Sequence, residues 1–279
     1  MLRGGNPSLI SVWRGGNALE LCTLASGSSG NCALVSGGGV HILMDAGISA
    51  RRISQGLKAL GLTPEDLSGI LITHEHSDHI SGLTTLLKHH RIPVYATAAT
   101  GRQLAYRIAW VADNLQTVQP GVGFAAGGLE VRAFSTPHDA ADSVGYTVTE
   151  ERGKLAFATD LGHVTQEVLS AVSGAQLALL ETNYDPEWLQ SGPYPEYLKA
   201  RIMGRNGHLS NEDGGQLALA LSQLGVRQLV LAHLSKENNT PARALETVCA
   251  SLIHGGVQPQ KDVRVEVAPR DRLGPVYRL

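Results

Sequence analysis

One short segment constrains the fold of this chain more than any other. An apolar run from Gly69 to Ile72 leads directly into the polar sequence Thr73-His74-Glu75-His76-Ser77-Asp78-His79. The run predicts a short buried strand, and the residues from Ile80 to His90 have the apolar spacing of a helix. The polar residues therefore lie where a buried strand passes into a helix, a position held rigidly by the elements on both sides.

The side chains of this segment are those that bind metal ions. Imidazoles and carboxylates are the ligands that suit zinc, manganese and iron. His74 and His76 are one residue apart in a turn, so both can face one ion. Asp78 and His79 begin the helix and can face a second ion. The alternative is a solvated cluster in which Asp78 only caps the helix, but so many ligand-type residues directly after a buried strand disfavour it.

Other polar residues also follow apolar runs, and strand ends meet along one edge of a sheet sandwich, so these residues can converge although they are far apart in sequence. They are Asp45, His138, Asp160, Glu181 and His233. Asp160 has two oxygens and could bridge both ions; a water shared by two ions loses its proton more readily. Asp45 is predicted to orient a histidine or a loop by hydrogen bonds. Its alternative is a turn aspartate before Gly47.

The periodicity of the chain predicts an α/β fold. Strands are predicted at 19–24, 32–36, 41–44, 69–72, 94–96, 131–135, 145–149, 155–158, 177–180, 228–232 and 263–267, and helices at 53–60, 80–90, 99–111, 211–224 and 240–254. Ser210 and Pro241 are predicted to open the last two helices. Two runs of strands with helices around them predict a four-layer αββα sandwich. We expect one domain over residues 19–279, preceded by a tail, residues 1–18.

Charge and composition limit the possible partners and the cellular compartment of the protein. A formal charge of −2 and a pI near 6.6 exclude a global basic field that would attract nucleic acid, so contact with phosphates must come from a local patch or from bound metal ions. Cys22, Cys32 and Cys249 form neither a disulfide framework nor a C-x-x-C metal site. No apolar run is long enough to span a bilayer, and the first residues lack the apolar segment of a signal peptide. We therefore expect a cytoplasmic protein without a membrane partner.

The T-H-x-H-x-D-H segment, together with His138, Asp160 and His233 at strand ends, resembles the metallo-β-lactamase superfamily from about Leu21 onward. The resemblance implies that His74, His76 and His138 hold one metal. It also implies that Asp78, His79 and His233 hold the other and that Asp160 bridges the two. Further resemblance to the bacterial YycJ/WalJ group implies an exonuclease that works from 5′ ends, chiefly on DNA. Its segments are LASGSSGNC (24–32), ETNYD (181–185), GHLSN (207–211) and HLSKENN (233–239).

The second half of the chain also resembles ribonuclease Z. The parallel assigns Glu181 and His208 to a pair that helps proton transfer to the leaving group. Elementary chemistry agrees, because phosphodiester cleavage expels an alkoxide, and a histidine oriented by a carboxylate can supply a proton to it. His208 could instead merely cap the backbone amides at a helix start.

Residues that would grip the substrate are less sharply marked. The nucleic-acid-clamping insertion of the ribonuclease J-like group has no room between Asp160 and His233, and no long basic arm of the ribonuclease Z type is evident. The candidates are Lys199, Arg201 and Arg205 as phosphate contacts, Tyr194 and Tyr197 as base-stacking platforms, and Ser28, Ser29 and Asn31 in a loop whose N–H groups could bind a phosphate. A solvated face and an ordinary glycine-rich hairpin turn are the alternatives.

The sequence therefore predicts a metal-dependent phosphodiesterase. We expect a 5′-to-3′ exonuclease on DNA, with RNA as a further substrate, that acts through a hydroxide bridging two divalent ions per chain, either zinc or manganese, with iron also compatible. Asp78, Glu181 and His208 are its predicted catalytic residues. One alternative is a thioester or lactam hydrolase with the same metal site, and another is a regulatory protein that has lost catalysis. The oligomeric state stays open, with a homodimer as one option.

Overall fold

The computed structural model describes residues 18–151 and 153–279. The predicted tail, residues 1–18, lies outside the described residues except for Ala18. Within the described ranges, no helix has both the length and the apolar character needed to cross a membrane.

The first sheet is built from strands of the first half of the chain and one strand from the C-terminus. They are β1 (Glu20–Ala25), β2 (Cys32–Gly37), β3 (Val40–Met44), β4 (Gly69–Leu71), β5 (Val94–Thr97), β6 (Leu115–Val118) and β14 (Val276–Arg278). Their order is β14-β1-β2-β3-β4-β5-β6. Strands β3 to β6 run parallel to one another, so the residues that follow them lie at the same edge of the sheet.

The second sheet comes from the second half of the chain. Its strands are β7 (Gly123–Ala126), β8 (Leu129–Ser135), β9 (Val144–Glu150), β10 (Gly153–Ala158), β11 (Leu177–Glu181), β12 (Gln228–Ala232) and β13 (Arg264–Val267). They lie in the order β13-β12-β11-β10-β9-β8-β7. Strands β10 to β13 are parallel, and β9 pairs antiparallel with both β8 and β10, so β8 and β10 end at the same edge.

Helices cover the outer faces of the two sheets. They are α1 (Ala50–Ala59), α2 (Ser77–Ile80), α3 (Leu83–His89), α4 (Ala98–Arg107), α5 (Gln166–Val172), α6 (Pro186–Ser191), α7 (Glu196–Ile202), α8 (Asn211–Gln223) and α9 (Pro241–His254), and a 3₁₀ turn spans Pro64–Asp66. The Ser210 side chain caps α8 by accepting from the Asp213 N–H, as predicted. Pro241 opens α9 at its first turn, also as predicted.

Three apolar cores separate the layers. One packs sheet β14–β6 against α1, α3 and α4, and includes Ile53 and Leu86. A second fills the space between the sheets and includes Ile42, Tyr146 and Val230. The third lies between the second sheet and α5, α8 and α9. This layering confirms the predicted αββα sandwich.

Two predictions of local structure need correction. The helix predicted from Ile80 to His90 is interrupted at Ser81 and Gly82, where the N–H of Gly82 donates to the carbonyl oxygen of Ala46 at 2.8 Å. A Cβ atom at Gly82 would lie only 2.2 Å from the carbonyl oxygen of Ile48, so this close approach requires glycine. Strands β6, β7 and β14 and helices α5, α6 and α7 were not predicted. These elements have three to seven residues, too few for apolar periodicity to show.

Three of the polar strand-end residues have left-handed backbone conformations. The φ angles are +58° at Asp45, +59° at Asp160 and +57° at His233. This conformation costs an L-residue about 1–2 kcal/mol. It turns the chain sharply as it leaves the sheet, so that these side chains point along the edge towards each other. Strained backbone conformations of this kind are concentrated at functional sites.

Candidate metal centre

The first group of side chains at this edge consists of three histidines. The Nε2 atom of His138 lies 3.3 Å from the Nδ1 atom of His76, and the ring of His74 is 4.5 Å from that of His76 and 4.9 Å from that of His138. One ring nitrogen from each residue lies within 4.8 Å of the others. The Nε2 atom of His74 is buried and has no hydrogen-bond partner among the residues that the structure describes. Burial also lowers the pKa of His74 well below its usual value, so the imidazole is neutral and keeps a lone pair.

The second group consists of Asp78, His79 and His233. The Oδ2 atom of Asp78 lies 3.4 Å from the Nε2 atoms of both histidines. Asp78 and His79 come from the first turn of α2, whereas His233 follows β12 in the other sheet. The site therefore joins the two halves of the molecule.

Asp160 lies between the two groups. Its Oδ2 atom is 3.5 Å from His79 Nε2 in the second group, and its Oδ1 atom is 3.8 Å from His138 Nε2 in the first. Asp160 is buried, and Oδ2 has no hydrogen-bond partner in the described part of the chain. Unpaired buried polar atoms are costly, and each here is an atom that could bind a cation. The donor set fits two divalent ions.

Each histidine of the second group is held by a carboxylate on its other ring nitrogen. Asp45 Oδ2 is 2.8 Å from His79 Nδ1, and Glu181 Oε1 is 2.7 Å from His233 Nδ1. Such contacts fix the tautomer that leaves Nε2 free for a metal. Asp45 is itself fixed, because its Oδ1 atom accepts the backbone N–H of Thr73 at 2.9 Å.

The first group is oriented by different partners. The Nδ1 atom of His74 lies 3.0 Å from the hydroxyl of Thr73, and that of His138 lies 3.0 Å from the carbonyl oxygen of Gly207. Both contacts place Nε2 toward the other histidines. Sequence reasoning gave no role to Thr73 beyond its motif and none to Gly207. A threonine directly before the first histidine was the available signal for Thr73, whereas nothing local marked a carbonyl 69 residues away from His138.

Glu181 contacts two histidines at once. Its Oε1 atom lies 2.8 Å from Nδ1 of His208 and 2.7 Å from Nδ1 of His233, while Oε2 accepts the backbone N–H groups of Leu161 and Leu209. Burial opposes ionisation of Glu181, but His208 and His233 outweigh burial and lower its pKa to about 2. The carboxylate is therefore charged and saturated with donors. The structure brings the predicted Glu181–His208 pair together and adds His233 to it.

The electrostatics of the centre favour cations. Burial raises the pKa of Asp160, but His233, His79 and His74 outweigh it and keep that pKa well below the usual value. Burial likewise lowers the pKa of His79, yet Asp160, Asp45 and Asp78 raise it well above 6.5. Ionised carboxylates thus dominate the potential around His79, which is the environment that a divalent cation requires.

A mesh of backbone contacts fixes the Asp78 turn. The N–H of Asn31 donates to the carbonyl oxygen of Asp78 at 2.8 Å, and the N–H of Gly47 donates to that of Asn31 at 2.7 Å. A Cβ atom at Gly47 would lie 1.6 Å from the Asp78 oxygen, so only glycine fits. Asn31, predicted to bind substrate, is buried here, and its amide nitrogen lies 3.4 Å from Asp78 Oδ2.

A cavity of about 280 Å³ opens over both groups. Ser28 and Arg201, which were predicted to contact substrate, line it together with Tyr194, which was predicted to stack on bases, and with Asp139, which was not predicted. The Nε of Arg201 donates to Asp139 Oδ2 at 2.5 Å. Its other lining residues are His76, Asp78, Asp160, Leu198, Ile202, Gly207, His208 and His233.

Other predicted substrate contacts lie elsewhere. Ser29, Arg205 and Tyr197 are exposed but do not line the cavity. The interpretation of Lys199 as a phosphate contact is wrong. Its side chain is buried, and its ammonium group donates to the Gln190 carbonyl at 2.8 Å and to Glu196 at 3.0 Å, so it fastens α7 instead.

The four-layer fold and the paired ligand groups at one sheet edge define a class of protein: a hydrolase with a divalent-metal site. Comparison with known proteins agrees. A family described as the beta-lactamase superfamily domain matches residues 41–234. The chain belongs to the metallo-β-lactamase superfamily, which confirms the resemblance seen in the sequence and implies divalent-metal binding.

Relatives give finer detail. Exodeoxyribonuclease YycJ of Bacillus anthracis is 36% identical over 242 residues, which cover 85% of this chain and 90% of the relative. Exodeoxyribonuclease WalJ of Streptococcus pneumoniae serotype 2 is 34% identical over 259 residues, covering 92% and 96%. Ribonuclease Z of Mycobacterium sp. (strain KMS) is 27% identical, covering 77% and 84%. The Zn²⁺-bound PqqB structure from Methylobacterium extorquens has a TM-score of 0.72 at 20% identity, covering 93% of this chain and 100% of PqqB, and supports the fold.

Proposed function

We propose that this protein is a metal-dependent phosphodiesterase that degrades DNA as a 5′-to-3′ exonuclease in the cytoplasm, with RNA as a secondary substrate. Two relatives of similar length are named exodeoxyribonucleases, and a more distant one is named ribonuclease Z. All three cysteines are free, in keeping with a reducing compartment. We also propose that residues 19–279 form one folding unit, since one core contains residues of both halves.

In this proposal the two groups of side chains each hold one divalent ion. His74, His76 and His138 would hold the first ion. Asp78, His79 and His233 would hold the second, and Asp160, which lies between the two groups, would be shared by both. Zinc and manganese suit these ligands, and iron is also compatible. When bound, such a pair supplies an activated water and neutralises the charge that develops on a phosphodiester.

The observation that carries the proposal is the contact of His208 with Glu181 at the cavity wall. Cleavage of a phosphodiester expels an alkoxide, which requires a proton as it leaves. A lactam or thioester hydrolase expels no alkoxide and has no need of this pair. The Nδ1 atom of His208 is held by a charged carboxylate, and the imidazole lies among the residues that line the cavity. In this arrangement His208 delivers a proton from Nε2 to the leaving oxygen, and Glu181 stabilises the imidazolium form.

Digestion of end-labelled DNA tests the proposal. Purified protein supplied with manganese should shorten 5′-phosphorylated DNA from its 5′ end and release nucleotides one after another. Asp78→Ala should abolish the activity, because it removes a ligand. His254→Ala is a matched control, since this histidine is exposed at the end of α9 and contacts neither ligand group.

The other outcomes are equally clear. Wild-type protein that leaves DNA and RNA intact with zinc, manganese and iron would refute the proposal. Hydrolysis of nitrocefin or of a glutathione thioester, without cleavage of a phosphodiester dye, would establish the alternative hydrolase. A metal content below one ion per chain would favour a protein that has lost catalysis.

A further inference from the structure

One stretch of the chain lacks carboxylates. No aspartate or glutamate occurs between Asp78 and Asp113, although acidic residues make up 25 of the 279 residues of the whole chain. The same stretch carries four lysine or arginine residues: Lys88, Arg91, Arg102 and Arg107. In a chain with a net charge of −2, this stretch is a local region of positive charge.

These cations lie on one side of the molecule. Helices α3 and α4 pack through Leu86, Leu87 and Leu104 into the core that covers the outer face of the first sheet. All four cationic residues are exposed. Among the described residues, Lys88, Arg91 and Arg102 form no ion pair with a carboxylate. Their charge is therefore not cancelled by a contacting acid.

Aromatic rings accompany the cations. The side chain of Tyr106 is 90% exposed and that of Trp110 is 40% exposed. Trp110 lines a cavity of about 410 Å³ together with the consecutive residues Lys88, His89, His90 and Arg91. Two acids also lie in this region: Asp113 lines the cavity, and Glu65 contacts His90 at 3.1 Å.

The same surface reaches the metal centre. Arg107, at the end of α4, donates from its guanidinium group to the carbonyl oxygen of Glu75 at 3.1 Å. Glu75 stands between His74 and His76 of the first ligand group. Cations that follow a phosphate backbone and rings that stack on bases are the two components of single-strand binding surfaces.

We propose that Lys88, Arg91, Arg102, Tyr106, Arg107 and Trp110, together the α3–α4 surface, bind single-stranded DNA beyond the catalytic cavity. This inference rests on the proposed function, because the bound strand is the continuation of the substrate whose end enters the cavity. The lysine and arginine residues contact phosphates, and Tyr106 and Trp110 stack on bases. The surface grips the substrate without a clamping insertion.

The test compares two charge-matched variants of the full-length protein. Lys88→Gln/Arg91→Gln removes two cations of the α3–α4 surface. Arg132→Gln/Lys261→Gln removes two exposed cations from the second half of the chain. Binding of a phosphorothioate-linked oligo(dT) of about 20 nucleotides, which resists cleavage, is measured by fluorescence anisotropy across a range of salt concentrations.

Each phosphate contact on a single strand contributes about 0.7 to the slope of log K against log salt. Loss of two contacts should therefore lower the slope by about 1.4 and weaken binding about 25-fold at 0.1 M salt. The control variant should bind like the wild type. Turnover of bis(4-nitrophenyl) phosphate, which is too small to reach the α3–α4 surface, should be the same in all three proteins.

Failure of this inference is distinguishable from failure of the proposed function. If Lys88→Gln/Arg91→Gln binds oligo(dT) with wild-type affinity and slope while the small ester is hydrolysed, the surface is refuted and the phosphodiesterase survives. If the protein hydrolyses no phosphodiester but the variant loses oligo(dT) binding, the DNA-binding surface is supported and the proposed phosphodiesterase is refuted. A loss confined to duplex DNA, or no binding by wild type at low salt, also overturns the inference.

Discussion

Replacing Asp45 with asparagine should weaken one of the two proposed metal sites while leaving the fold intact. Asparagine has the same shape as aspartate and tolerates the left-handed backbone of φ +58° found at this position. The Thr73 N–H, 2.9 Å from Oδ1, requires an acceptor there, so the new NH₂ group must take the place of Oδ2. That atom lies 2.8 Å from His79 Nδ1.

The consequence is a change of tautomer at His79. An NH₂ group facing Nδ1 requires that nitrogen to accept, and the ring proton then moves to Nε2. Nε2 is the atom that lies 3.4 Å from Asp78 Oδ2 and 3.5 Å from Asp160 Oδ2, where the second ion is proposed to bind. A protonated nitrogen has no lone pair for a metal. Loss of such an orienting partner costs about 10- to 100-fold in metal affinity, or roughly 1.4–2.7 kcal/mol.

A competition titration with a chromophoric zinc chelator measures this effect. Wild-type protein should show two tight sites, and Asp45→Asn should show one tight and one weakened site, with an unchanged circular dichroism spectrum. Asp113→Asn is the matched control, because Asp113 is exposed and lies outside both ligand groups. Two unchanged sites in Asp45→Asn would show that Asp45 does not set the tautomer of His79.

Three other predictions concern the Glu181–His208 pair, the bound metal ions and the two buried cysteines. His208→Ala should lower kcat on DNA about 10²- to 10⁴-fold and leave the metal content unchanged. Glu181→Gln should lower both kcat and metal content, because Glu181 also holds His233. Equal metal loss in the two variants, measured by elemental analysis, would contradict these separate roles. Chelation should lower Tm by roughly 5–10 °C per ion bound at 100 times its Kd, and a scan unchanged after verified metal removal would argue against buried ion sites. Burial raises the pKa of Cys22 from 9.0 to about 12 and raises that of Cys32 as well, so both thiols keep their protons in the folded state. Their contribution to stability is complete below about pH 9 and is lost as pH rises from 9 towards 12, by roughly 1.4 kcal/mol per pH unit for each thiol. The double alanine variant should therefore show a shallower fall of unfolding free energy in alkaline urea titrations, and identical slopes would refute the assignment.

The two ligand groups differ in the partners that orient their histidines. The second ligand group receives charged partners, Asp45 and Glu181, behind its histidines, whereas the first receives a hydroxyl and a carbonyl. A carboxylate partner makes a histidine a stronger donor than a neutral partner does. The second site should therefore hold its ion more tightly, although the first has three imidazoles.

Sharing of Glu181 between His208 and His233 couples proton transfer to metal binding. One oxygen lies within 2.8 Å of both rings, so movement of either ring disturbs the other. The surrounding amide side chains hold this arrangement in place: Asn183 donates to the carbonyl oxygen of His233 at 2.8 Å, and Asn239 donates to that of Thr182 at 2.9 Å. Asn183 thus supports the strained turn at His233, and Asn239 in turn holds the segment that contains Asn183.

The sequence by itself predicted the layers, which the structure confirms, and it supplied the ligand residues that the proposal uses. Asp45, Asp160 and His233 each follow an apolar run, and strand ends meet along one edge of a sheet sandwich, so the sequence predicted that these residues lie close together. The tertiary structure alone decided that Asp45 contacts His79 and that Glu181 contacts His233 in addition to its predicted partner His208. It also decided that Arg201 pairs with Asp139 and that Lys199 is buried. These outcomes depend on contacts between residues tens of positions apart and on short helices such as α7, whose placement no local periodicity encodes. The end of a strand fixes where a side chain leaves the sheet, but the residue that it contacts depends on how the loops from both halves pack together.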